Sequence, residues 1–540
     1  MSSLPDPWEA GLAAGWQVLG HTAPPPARLD CDVVVVGTGA GGGITAELLA
    51  RAGFKVVMLE EGPLKTSRDF NQLESEAYPT LYQESAARKT SDKAINVLQG
   101  RCVGGSTTVN WTSSFRTPSA TLAHWRRHFG LGDLTDDALA PYFQQAERRL
   151  SVSTWVVPPN ENNDLLRRGA ARLGIPAAAI LRNVKGCWNL GSCGLGCPTN
   201  AKQSQLLTGV PTALAHGATL LVNTRAVRLV TAQGVVQSLQ AEYLTQKHHS
   251  TLEHHGFSAI DIKAKHFVVA GGAINSPALL MRSALADPHD RLGKRTFLHP
   301  VVMSAATHDH RVEGWAGAPQ TIYTDHYLEV DPVHGPMGFK LEAPPIHPLI
   351  FASSIPGFGQ AQADMLKAFP QQHILLALLR DGFAPASEGG QVRLRSDGSP
   401  LLDYPLNSFV MDGARRALLA MAEIQFAAGA RQVMPVHEQA QPYTSWAQAQ
   451  EAIGRLAMVP LQTRVVSAHV MGGCGMAATA THGVVRPDGQ HWQVRNLSVH
   501  DGSLFPTSIG ANPQLSIYGL VNWLTQQLIG RLGGQASALA

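Results

Sequence analysis

The chain has no basic block, no long apolar run and little charge. Charged residues make up 15% of its 540 positions and the formal net charge is +3, which argues against a nucleic-acid partner. No apolar run reaches the roughly 18 residues that a membrane-spanning helix needs. "ILLALL" (374–379) is too short, and "LSIYGLVNWLTQQLIGRL" (515–532) is interrupted by polar residues. The opening "MSSLPDPWEAGLAAGW" carries acids but neither a basic n-region nor an apolar h-region, so no secretory signal is expected there. No repeat or low-complexity tract stands out. The expected location is cytoplasmic, or peripheral to the inner membrane, with reduced thiols. There are only six cysteines. The solitary ones, Cys31, Cys102 and Cys474, then read as small buried residues.

Glycine, by contrast, is plentiful at 52 residues, which implies tight turns and close backbone approaches. The clearest case is "CDVVVVGTGAGGGITAELLARAGFKVVMLEEGP" (31–63). A β-branched apolar run predicts a buried parallel strand. Gly37, Gly39 and Gly42 then fill a G-x-G-x-x-G spacing, a helix follows, and a second strand ends at Glu60. In a dinucleotide site the first glycine makes the turn and the second lets backbone approach the pyrophosphate. The third lets helix pack on strand, and the acid binds the ribose. Helix-start N–H groups face the phosphates.

Three later segments extend the pattern. "LQGRCVGGSTTVNW" (98–111) is a second glycine-rich loop. "HFVVAGGAINSPALLMRS" (266–283) reads as strand, glycine pair and helix. "NLSVHDGSLFPTSIGANPQLSIYGLVNWL" (496–524) reads as strand, acid, proline-bounded loop and final helix. In this order and at these distances the segments resemble the glucose–methanol–choline (GMC) oxidoreductase family, over nearly the whole chain.

That resemblance implies an α/β protein that binds FAD without a covalent link and oxidises an alcohol. Its Rossmann-like FAD-binding domain, a parallel sheet with helices, would come from residues 30–125, 205–300 and 465–540. Residues 126–204 and 301–464 would form an α+β substrate domain with an antiparallel sheet, and residues 1–29 an amino-terminal extension. Gly104, Gly105, Ser106 and Asn110 would lie along the cofactor, Val227 would touch adenine through its backbone, and Asp501 and Gly502 would flank the ribityl chain. Gly271 and Gly272 read as packing positions. "SAHVMGGCGMA" (467–477) is similar to the family's H-x-x-G-x-C-x-M signature, which makes His469 the general base. Loss of an alcohol's hydride requires uptake of its hydroxyl proton, which suits an imidazole. Asn512, in "GANPQLSI", would hold the alkoxide through its amide. Glu342, before an Ala-Pro turn, is either a second base, as in sterol-oxidising relatives, or a solvated or salt-bridged glutamate. His299, in "FLHP", is expected only to close a loop.

The stretch "GCWNLGSCGLGCPTNAKQS" (186–204) gathers Cys187, Cys193 and Cys197 in a C-x5-C-x3-C-P spacing. The bacterial ferredoxin run has a cysteine where Leu190 stands here. Cluster-bearing GMC dehydrogenases share the spacing, and by that resemblance the loop would carry a [3Fe-4S] cluster passing electrons to a cytochrome. Packing alone is the other reading. Zinc lacks a fourth ligand, and a disulfide would leave one cysteine odd. Segment 301–464 is rich in Pro, Leu, Phe and Met, so its pocket should prefer an apolar primary or sterol-like alcohol. The electron acceptor, whether oxygen, quinone or cytochrome, is left open. A flavin-dependent lyase or decarboxylase is the alternative reaction class, although such chemistry has no need of a base for an alcohol proton.

Overall fold

A computed structural model of the chain describes residues 6–244 and 258–539. The first five residues of the amino-terminal extension, residues 245–257 of the span 205–300, and the final residue lie outside the description. One of two eight-stranded sheets runs in the order Gln17–Leu19, Thr219–Leu221, Val56–Leu59, Arg28–Val36, Ser258–Val269, Val235–Tyr243, Thr224–Ala232. Leu497–Val499 pairs beside Ser258–Val269. Pairing is parallel except along the last two strands, which form an antiparallel extension. Val33, Val34 and Val35 are wholly buried, because helices cover a parallel sheet on both faces and every side chain of the strand is interior. Helix Ala40–Arg51 packs against helices Gly209–Ala215 and Gln514–Arg531.

Two features depart from the division read in the sequence. The amino-terminal extension joins the first sheet: Gln17–Leu19 forms its edge strand, and the Trp8 indole N–H donates to the Leu206 carbonyl at 2.9 Å. Helix Asp136–Arg149, capped by the Thr135 hydroxyl, buries Leu139, Phe143 and Ala146 in the core of the dinucleotide-type sheet, against the carboxy-terminal helix.

The second sheet runs Ile95–Val97, Val465–Ser467, Val301–Thr307, Gln372–Leu379, Phe339–Glu342, Ile322–Thr324, Ala178–Ala179, with Gln432–Pro435 as an eighth strand beside Val301–Thr307. It is antiparallel apart from its first pair. Its faces follow the period of two. Phe339, Leu341, Ala377 and Leu379 point into a core shared with helix Ser408–Ala427. Val301, Leu376 and Leu378 point the other way, toward a cavity at the junction with the first sheet. Two strands of this sheet, Ile95–Val97 and Val465–Ser467, come from segments that also build the glycine loops and the His469 motif, so the two layers share chain at the site itself.

Candidate active site

The cavity has a volume of about 1090 Å³, at the upper end of ligand-sized pockets. It extends from the ends of the first sheet's strands to the roof made by the second.

At the first end, strand Arg28–Val36 delivers the chain to Gly37, whose φ of +102° favours glycine. Helix Ala40–Arg51 begins directly after Gly39. No protein atom lies within 4 Å of where a Gly39 Cβ would stand, so this position faces open space. A Gly42 Cβ would come 1.9 Å from the Gly37 carbonyl oxygen, and a Gly41 Cβ 1.7 Å from that of His500. Gly42 is therefore a helix–strand contact that does not line the cavity, whereas Gly41, which the G-x-G-x-x-G spacing does not single out, both lines the cavity and packs against the His500 backbone. The other glycine loop meets the first here. The Gly104 N–H donates to the Thr38 hydroxyl at 3.0 Å, and a Gly105 Cβ would stand 2.9 Å from the Gly39 Cα. Gly105, Ser106 and Asn110 line the cavity; Gly104 sits behind them.

Glu60 ends its strand facing the cavity, with burial raising its carboxyl above the usual range. The Thr38 N–H and hydroxyl and the Gly62 N–H donate to it. Burial also pushes the neighbouring Glu61 up, but the Arg225 and Arg101 guanidiniums outweigh it and hold that carboxyl at about 2. Val227 sits at a bulge: its neighbours Ala226 and Arg228 pair with the adjacent residues Ala241 and Gln240. Arg282 Nε donates to the Val227 carbonyl at 2.9 Å. Asp501 accepts from Gly272 N–H and Ser276 hydroxyl on one oxygen, and from Ser503 N–H and hydroxyl on the other. Gly272, read in the sequence as a packing position, lines the cavity with φ of +84°. A carboxylate at one end, two glycine loops with open space before Gly39, and a helix start form a cradle that fits the dinucleotide half of FAD. Cys102 is buried away from the cavity lining.

At the other end, His469 follows strand Val465–Ser467 by two residues and lines the cavity. Burial, followed by the charge of Lys340, lowers its pKa to about 3, so the imidazole is neutral. Its Nδ1 is 3.1 Å from Nδ1 of His299. One of the two must donate and the other accept. With the proton on His469 Nδ1, Nε2 keeps its lone pair for a substrate proton. His299 is thus more than a loop closure. Its backbone has φ of +48°, and that conformation is pinned by N–H bonds from Leu298 and His299 to the buried Asp381 carboxylate. Asn512 also lines this end, among Trp111, Val301, Leu376, Leu378 and Val466.

Glu342 is placed differently from a second base. It is fully buried and absent from the cavity wall, lying behind Asn512 and Gln320, whose amides donate to it. A side chain without access to the substrate cannot take its proton.

The three cysteines of the loop are free thiols, each with its own protein neighbour. Cys187 accepts from the Asn189 N–H at 3.4 Å, Cys193 is 3.8 Å from an Arg182 guanidinium nitrogen, and Cys197 is 3.5 Å from the Thr199 hydroxyl. Among the described residues no three His, Cys, Asp or Glu side chains group to hold a metal ion, so the arrangement does not fit the [3Fe-4S] expectation. What organises the loop is Lys202. Its buried ammonium donates to the carbonyls of Thr108, Asn110 and Cys193 at 2.5–2.9 Å, and the Tyr82 hydroxyl donates to the Gly194 carbonyl at 2.6 Å. The loop is thereby tied to the cavity wall at Tyr82 and Asn110. No helix among the described residues is long and apolar enough to cross a membrane.

Comparison with known proteins agrees with this architecture. The two GMC oxidoreductase family models match residues 78–301 and 385–520. An uncharacterized GMC-type oxidoreductase of Mycobacterium tuberculosis (strain H37Rv) is 32% identical over 519 residues, covering 95% of this chain and 78% of that protein. Long-chain-alcohol oxidase FAO4A of Arabidopsis thaliana is 28% identical over 514 residues, and this chain spans 68% of its length. Pyridoxine 4-oxidase from Mesorbium loti has a similar fold at 19% identity, with a TM-score of 0.66 over 92% of this chain and 99% of that one. With its glycine cradle, its roofing sheet and these matches along most of its length, the chain belongs to the GMC oxidoreductase family, as an FAD-dependent alcohol oxidoreductase.

Proposed function

We propose that the chain oxidises an apolar primary alcohol of long-chain type, with His469 accepting the hydroxyl proton. One observation carries this reading: a neutral imidazole and an amide line the cavity together with an apolar cluster (Trp111, Val301, Leu376, Leu378, Val466). Such a cluster stabilises a hydrocarbon chain laid against it. The long-chain-alcohol oxidases among the relatives support the same substrate class.

Gly37, Gly39, Glu60, Gly105, Ser106, Asn110, Val227, Asp501 and Gly502 would hold the cofactor, with Gly42 and Gly104 shaping the loops behind them. FAD, when bound, supplies the two-electron acceptor for the hydride. His469 takes the proton on Nε2, and His299 fixes the ring that receives it. Asn512 donates an amide hydrogen to the alcohol oxygen as negative charge builds there. Oxygen is the electron acceptor that the oxidase relatives favour.

Anaerobic mixing of the holoenzyme with 1-dodecanol should bleach the flavin's visible band, while glucose and choline should leave it unchanged. Bleaching by the polar alcohols alone would overturn the substrate class. Oxygen uptake with the same series tests the acceptor. The cluster-bearing dehydrogenase reading rests on cysteine spacing, and no step is assigned to a cluster. Iron bound by protein prepared without oxygen would reinstate it.

A further inference from the structure

Behind Asn512 lies a charged pair that takes no direct part in the proton or hydride transfer. Lys340 and Glu342 lie two residues apart on strand Phe339–Glu342 and so share a face, opposite Leu378 and Leu376 across the ladder. Leu378 and Leu376 roof the cavity, which places the pair at the outer edge of that roof. Both side chains are buried, to 2% and 0% exposure. The Lys340 ammonium is 3.5 Å from Glu342 Oε1 and stands over the rings of Phe115 and Tyr323, 3.0 and 4.1 Å from their centroids. Glu342 Oε2 accepts from Gln320 Nε2 at 2.6 Å and from Asn512 Nδ2 at 3.2 Å.

A carboxyl group buried alone would take up a proton, and a protonated carboxyl could donate as well as accept. An ionised carboxylate can only accept. Burial raises the Glu342 pKa and the Lys340 ammonium opposes that rise, favouring the ionised form, toward which both amides turn their nitrogens. Gln320 then offers its oxygen to the Ser113 hydroxyl at 2.8 Å. Asn512 is left with Oδ1 buried and unpartnered, and with one amide hydrogen uncommitted.

We propose that Lys340 and Glu342 are positioning residues that lock the Asn512 amide in one of its two orientations, so that the alcohol oxygen always meets its remaining N–H. The inference rests on the proposed role of Asn512 toward the alcohol oxygen. Without the pair the amide can reverse, and its carbonyl would repel the oxygen as charge develops on it.

The test is a set of holoenzyme variants read by anaerobic flavin reduction with 1-dodecanol: Lys340→Met, Glu342→Gln, Asn512→Ala, and each of the first two combined with Asn512→Ala. Lys340→Met and Glu342→Gln should each slow reduction about tenfold at saturating alcohol, with little change in the half-saturating concentration. In the Asn512→Ala background neither should slow it further by more than about twofold, because groups acting through one residue are not additive. Equal slowing in both backgrounds would overturn the proposal, since the pair would then act on the fold at large. So would unchanged rates in the two single variants. If Asn512→Ala alone reduces at the wild-type rate, the reading of Asn512 fails, and the inference falls with it by a different measurement. Flavin content and melting temperature monitor folding, and Glu342→Gln, which keeps the side chain's size, carries the test if Lys340→Met does not fold.

Discussion

The two ends of the cavity are built by different means. At the dinucleotide end the working surface is backbone: Gly37, Gly41, Gly42 and Gly105 bring main chain against main chain, with neighbours that cannot swing aside, and Gly39 faces open space. At the reacting end it is side chains: His469, His299, Asn512, Glu342 and Lys340 come from four separate segments and meet in two groups, His469 with His299 and Glu342 with Asn512 and Lys340, through single contacts of 3.1–3.5 Å. A backbone site tolerates no added atom but hardly depends on side-chain chemistry. A side-chain site can lose a group and keep its shape while losing its reaction. Substitutions at the first end should therefore remove the cofactor or the fold, and those at the second should spare both and slow catalysis.

The largest effect is expected at Gly41. An alanine Cβ there would sit 1.7 Å from a backbone carbonyl, and overpacking against main chain should cost about 3 kcal/mol or more. Gly41→Ala should accumulate as flavin-free, poorly folded protein. Gly39→Ala sharpens the contrast, since its Cβ meets no protein atom within 4 Å. Its apoprotein should melt like wild type yet fail to retain FAD, as read by flavin-to-protein ratio. A flavin-replete Gly39→Ala would show that the cofactor does not use this cradle.

Next comes His469→Ala, which should keep its flavin and lose reduction by alcohol at least about a hundredfold, the scale of a lost general base. Flavin loss in this variant would blur the two ends into one. Smaller still is His299→Phe, which removes the partner of His469 Nδ1 and should slow reduction about tenfold through loss of ring orientation. His299→Asn should recover part of that rate, because asparagine tolerates a φ of +48° and keeps a polar group there.

The smallest effect concerns pH. Burial disfavours the imidazolium and lowers the His469 pKa to about 3 from 6.5, so the base remains unprotonated as pH falls through 6.5. Stopped-flow reduction should change less than about twofold between pH 8 and pH 5. A loss of rate with a midpoint near 6.5 would mean that this end is wetter than the structure places it.

How much of the site could be read beforehand differs between the ends for the same physical reason. Gly37 and Gly39 stand out in the sequence because only glycine meets a positive φ or leaves open space before a helix start, and that demand is local. Glu60 is likewise legible as the acid closing the next strand. His299 is not: nothing in "FLHP" shows that His469, 170 residues on, will place its ring 3.1 Å away. Glu342 is legible as an acid near an Ala-Pro turn, but whether it faces substrate or stands behind Asn512 depends on the register of the second sheet. The cysteine spacing suggests a ligand set, whereas the loop is organised by Lys202, a residue that spacing gives no reason to notice.

By itself, then, the order of strands, glycine loops and the His469 motif determined the family, the class of cofactor and which short segments would gather at the site. Each of those signals is contained within a short stretch of chain, where backbone sterics and period alone constrain the choice. The tertiary structure decided which side chains face the cavity, which stand behind it, and in what charge state. A carboxylate, an imidazole or an ammonium takes its role from burial and from the partner that folding brings within hydrogen-bonding distance.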